Sequence, residues 1–136
     1  MNPTLFALTG FIAWSLVLLV LMEAIRSKLV LTREVAPTGF TPGNTGLSPF
    51  MQRLARAHAN CVEGLPIFGG LMLVALVSDR SAVTDPLAFF FLGARVLQSL
   101  VHLASVSAPA IMLRFTAFAV QMAIALFWAW GLLATA

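Results

Sequence analysis

The chain has 136 residues, 60% of them hydrophobic and only 10% charged, far below the roughly 25% charged residues of a soluble domain. That composition, with a mean hydropathy of +0.97, excludes an ordinary water-soluble globule and suits one membrane-embedded domain over residues 1–136. The formal charge of +3 is no nucleic-acid signature, since the basic residues are spread over loops and helix ends, and the lone Cys61 excludes an intrachain disulfide or a multi-cysteine metal site.

The first apolar run, Leu5 to Met22, continues through Glu23 to Ile25 and is long enough to cross a hydrocarbon core of about 30 Å. No basic residue precedes Arg26, so the run reads as a retained span and not as a cleaved signal peptide. A helix over about 4–28 is expected, ending where Arg26 and Lys28 can snorkel to the headgroups. Thr32 to Ser48 holds Pro37, Gly39, Pro42, Gly43, Asn44 and Gly46, a density of helix breakers that predicts an irregular connection.

Ser48-Pro49 reads as the cap and first position of a second helix, over about 49–78. Its opening turns carry Arg53, Arg56, Asn60 and Glu63, which fall within roughly 80° of one another on a helix. The uncharged part, Gly64 to Ser78, is only about 22 Å long as a helix. Glu63 therefore lies at or inside the hydrocarbon boundary, where an ionised carboxylate needs a partner. His58 points roughly 140° away from Arg53, which makes it a helix-contact residue, and Cys61 reads as a small packing residue.

After a short polar turn, Ser78 to Asp85, a third helix over about 86–106 carries Arg95, Gln98 and His102 on one face. Arg95 is the simplest ion-pair partner for Glu63, although Arg95 lies about 13 Å and Glu63 about 22 Å from the far interface. Such a pair needs helix tilt or an intervening group. A fourth helix over about 110–134 places Arg114 near its start and Trp128 and Trp130 near its end, as an interfacial belt would have them. The helix dipole disfavours a cation at Arg114 unless an anion is bound beside it. His58 and His102 lie on different helices with Glu63 as their one nearby carboxylate, so no metal site is expected.

Arg26, Lys28, Arg33, Arg53 and Arg56 flank the first connection, against Arg80 alone in the second. The positive-inside rule then puts the first and third connections in the cytoplasm and both termini on the other side. Arg26, Arg53, Arg56, His102 and Arg114 share the cytoplasmic side and describe a cationic cavity with one carboxylate. Such a cavity suits a small, multiply anionic ligand carrying an amine, and an arginine beside a bound thiol favours the reactive thiolate.

Arg53-x-x-Arg56-Ala57-His58-x-Asn60-x-x-Glu63-x-x-Pro66, with Gly93-x-Arg95-Val96, Ala108-Pro109 and Arg114, resembles the MAPEG family, the membrane-associated proteins of eicosanoid and glutathione metabolism. The resemblance implies an all-α integral membrane four-helix bundle assembled as a homotrimer, with glutathione between neighbouring subunits. It implies glutathione contacts at Arg26, Arg56, Asn60, Glu63, Gln98 and His102, with Arg53 at a frequent basic position and Arg114 stabilising the thiolate. The chain departs from the family pattern in having no tyrosine, with Gln98, His102 and Phe118 at positions that tyrosines often fill. Phe115 follows Arg114 where the prostaglandin synthase branch has serine, and Gly64 replaces an aromatic of the leukotriene synthase branch.

The expectation is thus a glutathione transferase or peroxidase acting on hydrophobic electrophiles that arrive from the lipid, in a bacterial inner membrane or the endoplasmic reticulum. A non-catalytic protein of the same fold, binding lipid or glutathione, is the rival. A four-helix exporter with a glutamate in its first helix is a further one, disfavoured because Glu23 lies at the end of that helix and not in its middle.

Overall fold

A computed structural model describes residues 1–136 as four helices long and apolar enough to cross a membrane, with no strand. They are α1 (Pro3–Leu31), α2 (Pro49–Val77), α3 (Asp85–Ala104) and α4 (Ala108–Ala134). Each has a proline in its first turn, where the missing N–H costs no helical bond. Asn2, Ser48 and Ser107 cap α1, α2 and α4 by accepting from Leu5 N (2.9 Å), Met51 N (3.2 Å) and Ala110 N (3.4 Å). Inside α2, Leu65–Gly69 forms a π-helical turn around Pro66. Proline has no N–H to give to the preceding turn, and a widened turn accommodates the lost bond.

The helices alternate in direction, as contacts at the two ends show. At one end Thr4, at the start of α1, meets the start of α3, where its hydroxyl bonds the Thr84 hydroxyl (2.6 Å) and donates to Asp85 (2.6 Å). Arg80, just after α2, donates there to the Leu132 carbonyl (2.6 Å) and Thr135 (2.8 Å) at the end of α4. At the other end Arg26 of α1 holds the buried Asn44 through Nε (3.0 Å) and Nη2 (2.6 Å), and Asn44 donates to the Met51 carbonyl in α2 (2.7 Å). The connection expected to be irregular is thus pinned to the bundle chiefly at Asn44, which sits in the left-handed region at φ 55°.

Small residues (Ala7, Ala57, Ala75, Ala88) and large ones (Phe11, Leu54, Phe91, Trp128) fill the interior. Leu16, Val17, Val20, Leu126 and Phe127 point outward. In lipid that exposure needs no cover, because acyl chains are as apolar as leucine.

Candidate functional site

Arg95 organises the interior. It is wholly buried, with its guanidinium carbon 5.2, 5.6 and 5.9 Å from the ring centroids of Phe11, Phe68 and Phe118. Those ring faces attract the cation without supplying a counter-charge. The carboxylate expected to pair with it does not. Arg95 Nη1 donates instead to Asn60 Oδ1 at 2.6 Å, while Glu63, one turn further along α2, is exposed and in no ion pair. The reason is register, since Glu63, three residues on from Asn60, is turned about 60° round the helix from it. Gly64 is the residue over which the guanidinium passes, and a Cβ there would stand 3.1 Å from Arg95 Nη2.

Asn60 Oδ1 also accepts from Gln98 Nε2 (3.1 Å), and Gln98 Oε1 accepts from Gln121 Nε2 (2.8 Å), which donates as well to the Ala117 carbonyl (3.1 Å). A ladder of three amides therefore links α2, α3 and α4. Cys61 and Ser99 pack beside it with Sγ and Oγ 3.5 Å apart, and Cys61 is the buried packing residue expected. Arg95 Nε, Arg95 Nη2 and Gln121 Oε1 remain buried without partners.

Towards the first and third connections the polar groups are cationic. His102 is buried, and Arg53, Arg56 and Arg114 lie close enough to act on it electrostatically. Arg53 Nε donates to the Leu103 carbonyl (2.8 Å), capping the end of α3, where the dipole favours a cation. Arg56 is exposed, and Arg114 is half-buried with Nε buried and unpartnered. The one ion pair in the chain is Arg26 with Glu23 (2.9 Å), so none of these three arginines has a carboxylate. Arg26 stands apart, occupied by Asn44, the Thr41 carbonyl and Glu23. His58 is half-buried and takes no part in the ladder.

A groove of about 790 Å³ runs between α2 and α4. Asn60 and Glu63 form its polar end, with Gly64 and Phe118 beside them, and Ile67, Val74, Met122 and Leu126 among others continue it as an apolar track. Its volume falls in the range of small-molecule sites. The π turn at Leu65–Gly69 supplies part of its wall, as such turns often do at binding sites.

Compared with known protein families, the chain matches the model of the MAPEG family over residues 4–134, nearly its whole length. The chain belongs to the MAPEG family. No curated protein and no solved structure matches it. MAPEG membership and four membrane-capable helices make it an integral multi-pass membrane protein with a role in glutathione or eicosanoid metabolism. Family members generally use glutathione.

In this MAPEG chain the site residues expected from the sequence fall into separate groups. Arg53, Arg56, His102 and Arg114 form the cationic cluster, Asn60 and Gln98 belong to the amide ladder, and Glu63 faces the groove. Arg26 lines a different depression, with Glu23 and Phe40. The sequence reading missed Gln121, wholly buried and at the end of the ladder. A signal was present, since Gln121 is the one amide of α4 and polar groups inside a span are usually engaged. The phenylalanine cage carried no such signal.

Proposed function

We propose that this MAPEG member is a membrane-bound glutathione transferase, with peroxidase capacity, acting as a homotrimer of single-domain subunits. The observation that carries the reading is the set of three arginines around His102 with no carboxylate among them. Clustered cations at a membrane boundary repel one another unless an anion joins them. A tripeptide with two carboxylates fits that need, and Glu63 suits its ammonium. The guanidinium of Arg114, half-buried and with no carboxylate beside it, suits a thiolate.

In this reading Arg53, Arg56, His102, Asn60 and Glu63 bind and orient glutathione, and Arg114 holds the thiolate. The electrophile enters from the lipid along the α2–α4 groove. Sulfur attacks the electrophilic carbon, the leaving group departs, and the chain's contribution is thiol ionisation and juxtaposition. Exposed Glu63 and Arg56 are natural contacts for a neighbouring subunit, and Arg26 meets the ligand only from such a neighbour. Both termini lie on the non-cytoplasmic side.

The test is the ultraviolet thiolate absorbance of glutathione titrated with purified protein, wild type against Arg114→Ala. Wild type should generate thiolate at neutral pH and the variant little. Equal absorbance in the two removes the role assigned to Arg114. One observation favours a non-catalytic reading. Phe118 stands where a tyrosine hydroxyl is frequent and packs edge-on to Phe68 at 6.2 Å. Glutathione-dependent thermal stabilisation with no turnover of generic electrophiles would support that reading.

A further inference from the structure

The amide ladder has a direction, and the direction reaches the groove. A guanidinium can only donate, so the Asn60 atom facing Arg95 Nη1 at 2.6 Å is its oxygen. A backbone carbonyl can only accept, so the Gln121 atom facing Ala117 O at 3.1 Å is its nitrogen. Between those fixed ends each link is consistent, with Gln121 Nε2 donating to Gln98 Oε1 and Gln98 Nε2 donating to Asn60 Oδ1. Both lone pairs of Asn60 Oδ1 are thereby used. Its Nδ2, with two N–H groups, is left for the groove that Asn60 lines.

We infer that Gln121, acting through Gln98, is a positioning residue that makes Asn60 a pure hydrogen-bond donor towards an oxygen of the bound ligand. The inference rests on the proposed glutathione reading for the identity of that ligand, but the ladder itself does not. Without Gln121, Gln98 Oε1 has no donor, and the Gln98 amide is free to turn. Once it turns it offers Asn60 an oxygen instead of an N–H. Asn60 then loses one of the two donors that hold its own oxygen inward. Simple interhelical adhesion would need the same contacts but would make the effect of Gln121 on ligand affinity independent of Asn60.

The experiment uses the full chain in detergent micelles with ¹⁵N-labelled asparagine. The sequence has three asparagines, Asn2, Asn44 and Asn60, so three side-chain amide pairs appear, and Asn60→Asp identifies one of them. Gln121→Met should move the Asn60 pair and leave the other two in place, with no ligand present. Gln98→Met, which cuts the ladder at its middle, should do the same and serves if Gln121→Met does not fold. An Asn60 pair that stays put in the folded variants overturns the inference.

Glutathione affinity supplies the second readout. Gln121→Met should weaken binding about tenfold, as loss of one charge-assisted hydrogen bond does. Asn60→Asp keeps two acceptors for Arg95 and Gln98 but offers the groove no donor, so adding Gln121→Met to it should weaken binding no further. Equal losses in both backgrounds would mean that Gln121 merely holds the bundle together, and would overturn its positioning role. If glutathione moves nothing in the wild type, the glutathione reading falls, and the ligand-free spectra still decide the ladder.

Discussion

Gly64→Ala tests whether Arg95 crosses α2 where the structure puts it. In an open helical position, exchanging glycine for alanine stabilises by about 1 kcal/mol. At Gly64 the new Cβ would meet Phe68 Cδ2 at 3.0 Å, Arg95 Nη2 at 3.1 Å and Phe68 Cε2 at 3.1 Å. Neither neighbour can retreat easily. Phe68 is wedged between Phe91, 5.1 Å away, and Phe118, and Arg95 is held by Asn60 within its cage of rings. Overpacking of this kind costs about 1–3 kcal/mol, so the net expectation is a loss of about 1 kcal/mol where propensity alone predicts a gain. Gly93→Ala is the control, because nothing lies within 4 Å of a Cβ added there. Unfolding in mixed micelles, followed by circular dichroism, should rank Gly93→Ala above wild type and Gly64→Ala below it. Removing Nη2 with Arg95→Met should return part of the Gly64→Ala loss. If Gly64→Ala stabilises as Gly93→Ala does, the guanidinium does not lie over Gly64.

The remaining predictions concern the two ends of the bundle. Arg80→Ala removes the bonds to the Leu132 carbonyl and Thr135, so it should lower stability by about 1–3 kcal/mol. Because Arg80 lies at the end away from the arginine cluster, glutathione affinity measured by calorimetry should not change. Glu63→Gln removes an exposed carboxylate that has no partner in the chain, so the isolated subunit should be as stable or more so. If Glu63 meets the ammonium of glutathione, affinity should fall at least tenfold. An unchanged affinity would remove Glu63 from the site.

Much of the architecture was legible because hydropathy, proline and capping residues are local signals. Four apolar runs announced four helices, Ser48-Pro49 marked the start of α2, and the periodicity of Arg95, Gln98 and His102 put all three on the buried face of α3. What stayed hidden was relative depth. Asn60 lies about 26 Å along α2 from Val77, and Gln98 about 20 Å along α3 from Asp85, yet the two are hydrogen-bonded at 3.1 Å. How the two helices are set along one another absorbs that difference of about 6 Å. No local signal encodes that placement. The choice of Asn60 over Glu63 as the partner of Arg95 was hidden for the same reason, as was the part played by Gln121.

That choice has a consequence for chemistry. Had Arg95 taken Glu63, the chain would hold a neutral buried pair and a groove without an acidic group. With Asn60 as partner, the cation is held by an amide and three aromatic rings, two of its nitrogens stay unpartnered, and Glu63 is left at the groove without an internal partner. Each half is less stable alone than the ion pair would make it, since an unpaired charge at membrane depth is expensive. The cluster of Arg53, Arg56 and Arg114 around His102 repeats the pattern with the opposite sign. Separated charges of both signs, each lacking its internal partner, are what a zwitterionic ligand with extra carboxylates can complete. The same separation explains the amide ladder, because only neutral groups can join three helices here without cancelling the charges that the ligand would need.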